Sequence, residues 1–167
     1  EGGTAVLLFD EADSLFGSRG EVKQAQDRFA NQEVSFLLQR LEVFEGCAIL
    51  TTNLQENIDE AFLRRFGAVI EFPMPSIEQR KKLWARAIPN GAPKDDNLDL
   101  DAIAKQFTIA GGSIINSAIN ACILASTMKE AVAMKHVVTA VAQEYIKMGK
   151  QVTPVHFGEW YPFVRDL

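Results

Sequence analysis

Basic residues are in deficit: 17 Lys and Arg against 22 Asp and Glu leave a net charge of −5 at neutral pH. No global positive field is present to recruit a nucleic-acid backbone. Long apolar runs are missing too, since none reaches the ~18 residues that a membrane span requires. Sulfur is scarce. Cys47 and Cys122 each lie inside an apolar run, which reads as two packed thiols rather than a disulfide or metal pair. His136 and His156 have no ligand-like spacing. No signal peptide, internal repeat or low-complexity segment is visible. These deficits read as a cytoplasmic protein with no membrane partner. An initiating Met is lacking as well, and the chain opens almost directly on an apolar run, so it is expected to be a piece of something longer.

What remains is a globular composition, 47% apolar and 23% charged over 167 residues, enough for one domain or two small ones with a real core. The most informative stretch is Ala5-Val6-Leu7-Leu8-Phe9, which stops at Asp10-Glu11-Ala12-Asp13. A run without alternation predicts a strand buried on both faces, as in the centre of a parallel sheet. The acids would then stand at its carboxyl end, where ligands bind in open α/β sheets.

The same pattern recurs at Cys47-Ala48-Ile49-Leu50, followed by Thr51-Thr52-Asn53, and a third strand is predicted over Ala68-Val69-Ile70-Glu71-Phe72. Ser14 to Glu21 reads as a loop. A helix from about Gln24 carries the stripe Val34, Leu37, Leu38 and Leu41 and ends at Gly46. A short helix over Asn57 to Phe66 carries Arg64-Arg65. Past Pro73 and Pro75 the period becomes helical only. Ser76-x-x-Gln79 is a capping box opening a helix to about Ile88. Leu100, Ile103, Ala104 and Phe107 mark a second helix. Ser113, after Gly111-Gly112, caps a third with Ile115, Ala118, Ile119 and Cys122 in line. Met134, Val138, Val141, Tyr145 and Met148 mark a fourth, ended at Gly149. The expected division is an α/β part over residues 1–75, a small four-helix domain over 76–150 and an irregular aromatic tail over 151–167.

Residue chemistry points to phosphoryl transfer. Asp10 can hold a hydrated Mg²⁺, which takes one or two carboxylates plus substrate phosphates. Glu11 can orient or deprotonate the water that attacks a γ-phosphate. The Asn53 amide can hydrogen-bond that water or a γ-phosphate oxygen. Arg64 or Arg65 can offset transition-state charge. Gly111 and Gly112 would let backbone approach a flat base. Each has a plainer alternative: acids at a helix start, an Asn turn cap, a solvated basic face, a helix break.

Order and spacing favour the first set, and here the chain resembles the AAA+ ATPases. Leu7-Leu8-Phe9-Asp10-Glu11-Ala12-Asp13 resembles their Walker B motif, and Thr51-Thr52-Asn53 their sensor 1. Asp59-Glu60-Ala61-Phe62-Leu63-Arg64-Arg65-Phe66 resembles the end of the second region of homology with its arginine fingers. Gly111-Gly112-Ser113-Ile114-Ile115-Asn116 resembles the start of the sensor 2 helix. The pattern is most like bacterial members in which FDEAD is followed by a phenylalanine-glycine loop, here Phe16-Gly17. The resemblance implies part of a P-loop NTPase parallel sheet followed by an all-α lid, with ATP and Mg²⁺ as cofactors. It implies a homo-oligomeric ring, hexameric in the family, that remodels a macromolecular partner, a protein first of all. In that reading Asp10 serves the metal, Glu11 polarises water, Asn53 senses the γ-phosphate, and Arg64 or Arg65 reaches a neighbouring subunit.

Three departures stand out. No Gly-x-x-x-x-Gly-Lys-Ser/Thr occurs among the 167 residues, so the phosphate cradle is expected upstream and this chain alone is expected to be inactive. Gly67-Ala68 stand where relatives commonly carry an arginine beyond the pair, and Ile115 stands where the lid motif commonly has another. A DEAD-type helicase would also show Asp-Glu-Ala-Asp after a strand, but with a Ser-Ala-Thr motif and a basic cleft that this chain lacks. A non-catalytic interaction module remains the alternative.

Overall fold

The computed structural model describes residues 5–12, 36, 39–41, 43–53 and 63–167. The chain divides into two compact units, Glu1–Glu71 and Phe72–Leu167.

In the first unit, strands β1 (Val6–Phe9) and β2 (Cys47–Leu50) pair in parallel, with Val6 opposite Cys47 and Phe9 opposite Leu50. Backbone bonds carry the ladder past both ends, from Cys47 N to Ala5 O at 3.3 Å and from Thr51 N to Phe9 O at 2.9 Å. Gly46 admits this approach: a Cβ there would run into the carbonyl oxygen of Ala5 and the ring of Phe44.

The expectation of burial on both faces is not met. Val6 and Leu8 are 63% and 65% exposed, and Ala12 is the one buried residue among the described residues of this unit. A two-stranded ribbon gives each strand one neighbour and cannot cover its own faces. The third predicted strand is also absent. Residues 68–72 lie in neither helix nor strand, with Ile70 75% and Phe72 93% exposed. Strand backbone needs a partner ladder, and among the described residues none pairs with this segment. Cys47 is exposed rather than packed. Phe36 and Gln39–Leu41 are helical, within the helix predicted from Gln24. The rest of its stripe, the segment with Asp13 and Phe16-Gly17 predicted as a loop, and most of the helix predicted over Asn57 to Phe66 lie outside the described residues.

The second unit is helical. Helix α1 (Ile77–Ala87) opens on the predicted capping box, Ser76 N donating to Gln79 Oε1 at 2.8 Å and Gln79 N to Ser76 Oγ at 3.3 Å. Helix α2 (Leu100–Gln106) is capped by Asp99, whose Oδ1 accepts from Ala102 N at 2.8 Å. Helices α3 (Gly111–Met128) and α4 (Met134–Lys147) follow. Trp84, Ile103, Phe107, Ile114 and Val141 are fully enclosed in the core. Helix α4 ends as expected, with Gly149 at φ +70°, a conformation that glycine adopts without steric cost.

Two expectations for α3 are corrected. Its N-cap is Ala110, not Ser113, because Gly111 and Gly112 are already helical. Ser113 stands one turn inside, its Oγ 3.9 Å from Met148 Sδ. The buried face is Ile114, Ser117, Ala118, Ala121 and Ala125, while Ile115 and Ile119 are 46% and 50% exposed. Ala118 alone is shared with the predicted stripe. Helix separation depends on the side chains at the contact, and three alanines on this face suit close packing against α4, itself buried over most of its surface.

The tail is ordered as α5 (Pro154–Phe157) and a 3₁₀ helix (Gly158–Phe163) rather than irregular. Phe157 is completely buried. Phe107 joins tail to core, with ring centroids 5.0 Å from Phe157, 5.9 Å from Trp160 and 6.0 Å from Tyr145.

Phe107→Ala is expected to destabilise the second unit by about 3–5 kcal/mol and Ser76→Ala by about 1 kcal/mol, read from urea midpoints by tryptophan fluorescence. Between α3 and α4, Lys135 Nζ lies 2.6 Å from Glu130 Oε2 and His136 Nε2 lies 3.2 Å from it. Lys135, followed by His136, holds the Glu130 carboxyl below the ordinary glutamate range. A lowered folded-state value means stability that is present above the unfolded pKa of about 4.3 and lost as pH falls through the folded value. Glu130→Gln should remove that acid-side step from a plot of stability against pH, and an unchanged profile would contradict it.

Candidate functional site

Because β1 and β2 run parallel and end level, the residues that follow them emerge side by side. Thr51 uses three of its groups there. Its N–H donates to Phe9 O at 2.9 Å and its carbonyl accepts from Ala12 N at 2.8 Å. Its hydroxyl donates to Asp10 Oδ1 and accepts from Glu11 N at 3.3 Å. The turn over residues 10–12 is thereby tied to the next strand rather than to its own.

Glu11 adopts φ +53°, a left-handed conformation that costs roughly 1–2 kcal/mol for a residue with a Cβ. The Thr51 bonds and fully buried Ala12 hold it. Such outliers cluster where the surrounding structure fixes a functional geometry. Asp10 and Glu11 are both exposed. The Asp10 carboxylate and the Thr51 hydroxyl, adjacent hard oxygen donors, suit a magnesium ion that completes its shell with water and phosphate.

Asn53 lies in a bend two residues beyond Thr51, on the same end of the sheet and exposed. Arg64 and Arg65 occupy a turn closed by Phe66 N to Leu63 O at 3.3 Å, also exposed and in the same unit. Gly111 and Gly112 belong to the second unit as the first two residues of α3. A Cβ on Gly111 would meet Leu83 Cδ1 at an ordinary 3.6 Å, and one on Gly112 would meet nothing within 4 Å. Neither glycine is therefore required by packing or by φ. The structure thus brings Asp10 and Glu11 together with Thr51. Sequence reasoning noted Thr51 only as part of a motif. Its role depends on a contact across 41 positions, and the one local sign was a hydroxyl residue directly after an apolar run.

Residues 1–74 match the family described as "ATPase family associated with various cellular activities (AAA)". The chain is similar to Cell division protein C of Sulfolobus acidocaldarius, at 34% identity over 63% of this chain and 28% of that protein. It is similar to Cell division control protein 48 homolog C of Arabidopsis thaliana, at 38% identity over 60% of this chain and 12% of that protein. The ATP-dependent zinc metalloprotease FtsH of Lachnoclostridium phytofermentans matches at 30% identity over 70% of this chain and 21% of that protein. The chain thus spans less than a third of the length of each of these relatives. Its fold is similar to that of a chain solved under the description "Structural Basis for Katanin Self-Assembly", with a TM-score of 0.63 at 23% identity, covering 82% of this chain and 51% of that one.

Thr51→Val should cost about 1 kcal/mol and speed amide exchange at Glu11, whose N–H loses its acceptor. Glu11→Gly should unfold at the same or a higher urea concentration than the wild type, since glycine enters the left-handed region freely, and Glu11→Val at a lower one. The reverse order would mean that position 11 carries no backbone strain.

Proposed function

For a chain whose residues 1–74 match the AAA family of ATPases, we propose that residues 1–75 supply the metal-holding and water-activating part of an ATP-hydrolysing site, and residues 76–150 its lid. The observation that carries this reading is the pairing of Asp10 and Glu11 with Thr51 at the carboxyl ends of two parallel strands. Mg²⁺, when bound, offsets charge on the phosphate oxygens. Asp10 is the residue to hold it, with its carboxylate rotation set by the Thr51 hydroxyl. Glu11 orients the attacking water and accepts its proton. Asn53 donates its amide N–H to a γ-phosphate oxygen or steadies the same water. Arg64 or Arg65 reaches the site of a neighbouring subunit, where a guanidinium offsets charge on the transferring phosphoryl group. Gly111 and Gly112 let the start of α3 lie close to the base.

This arrangement needs a ring, and we infer a homo-oligomer, hexameric as the resemblance implies, that remodels a protein partner in the cytoplasm. The family match over residues 1–74 supports the ring, and the net charge of −5 gives no support to a nucleic-acid partner. The phosphate cradle is not among these 167 residues. The reading therefore applies to a protein that carries this sequence behind a phosphate-binding loop.

In that protein Glu11→Gln should keep ATP bound and stop turnover, and hydrolysis at the wild-type rate would remove the role given to Glu11. Replacing Arg64 and Arg65 with Ala should cut turnover by ~10³-fold or more while leaving nucleotide affinity of isolated subunits unchanged. Mixed rings of the double variant with Glu11→Gln subunits should regain activity, since intact Glu11 sites then face intact arginines. The 167-residue chain alone should show no tight Mg-ATP binding by calorimetry, and micromolar binding would require a phosphate cradle within it.

A further inference from the structure

Arg80 is the one buried lysine or arginine among the described residues, 4% exposed. It lies one turn into α1, and both of its side-chain acceptors are backbone carbonyls. Nε donates to Ala104 O in α2 at 2.9 Å, and Nη1 donates to Pro75 O at 2.5 Å. A guanidinium buried against neutral acceptors is a poor way to gain stability, because an apolar side chain of similar volume avoids the desolvation. What it does provide is a planar fork with fixed donor directions, here spanning two segments.

One of those segments is the peptide by which the second unit joins the first, since that unit begins at Phe72. Pro73 and Pro75 stiffen it. Ser76, next in line, is held by its amide to Gln79 Oε1 at 2.8 Å, and its carbonyl accepts from Arg80 N at 2.8 Å. The joining peptide is thus fastened to the helical body immediately before α1 begins.

We propose that Arg80 is a positioning residue for the ATPase reaction: its bonds to Pro75 and Ala104 fix the direction in which the joining peptide leaves the helical unit. A displacement of α1 and α2 is then passed along the peptide instead of being absorbed by rotation at Pro75-Ser76. Hinge positions of this kind act on turnover from outside the chemistry. The proposal rests on the ATP-hydrolysis reading for its reaction but not for the clamp itself.

The test has two arms. In the 167-residue chain, Arg80→Met preserves volume and should leave the urea midpoint of the helical unit at or above the wild-type value. The backbone order parameters of Met74 and Ser76 should meanwhile fall from about 0.85 to below about 0.6. In the protein that carries this sequence behind a phosphate-binding loop, the same variant should lose about 10-fold to 10²-fold in kcat with KM for ATP unchanged. Arg80→Lys, able to reach one carbonyl, should recover part of it. Unchanged order parameters, or a kcat loss that follows the loss of midpoint across Arg80→Met, Arg80→Lys and Arg80→Ala, would overturn the proposal. If the wild-type protein does not hydrolyse ATP, the ATPase reading fails and takes the positioning role with it, while the order parameters still decide whether Arg80 is a clamp.

Discussion

The parallel ladder between Val6–Phe9 and Cys47–Leu50 is the contact on which the candidate site depends. Parallel pairing needs a long crossover, so it brings together residues remote in sequence. It places Thr51 beside Asp10 and lets one threonine bind residues 9 to 12 through its amide, carbonyl and hydroxyl. The left-handed backbone at Glu11 is tolerable because of those bonds. Gly46, at the entry to β2, has no Cβ to hold the strands apart. A shift of one residue in register would put Thr52 beside Asp10 and lose the arrangement.

The two units differ in how they reach stability. The helical unit encloses Trp84, Phe107, Phe157 and a close-packed face of alanines, and its tail aromatics complete the core around Phe107. The first unit, among its described residues, has apolar strand faces open to solvent. A ribbon of two strands cannot enclose itself, whereas helices joined by short turns bury their faces on one another. The order needed at the strand ends therefore rests on hydrogen bonds more than on packing.

Much of the helical unit was legible because its signals are local. The capping box at Ser76 and Gln79 works across one turn of helix, and both of its bonds form. The stripes Ile103, Ala104, Phe107 and Val138, Val141, Tyr145 face the core because a helix repeats every 3.6 residues whatever surrounds it. The resemblance to the AAA ATPases was legible for a similar reason: Asp10-Glu11 after an apolar run and Thr51-Thr52-Asn53 after another are short patterns with their chemistry written in order. Two of the misreadings turn on partners. Residues 68–72 are apolar enough for a strand but pair with none among the described residues. Helix α3 has Ile115, Ile119 and Ile123 on one side and Ala118, Ala121 and Ala125 on another, and composition could not say that the alanines are the buried set.

Sequence alone therefore determined strands β1 and β2, the four main helices, the Ser76 cap, the identity of the acids at the end of β1 and the resemblance to the AAA ATPases, since each is carried by neighbouring residues or by fixed helical spacing. Tertiary structure alone decided which face of α3 is buried, that Thr51 holds Asp10 and Glu11, and that Arg80 ties Pro75 to Ala104. Those are choices of partner between segments 5 to 41 positions apart. A partner is selected by packing and hydrogen-bond satisfaction in three dimensions, for which the spacing of residues along the chain holds no direct record.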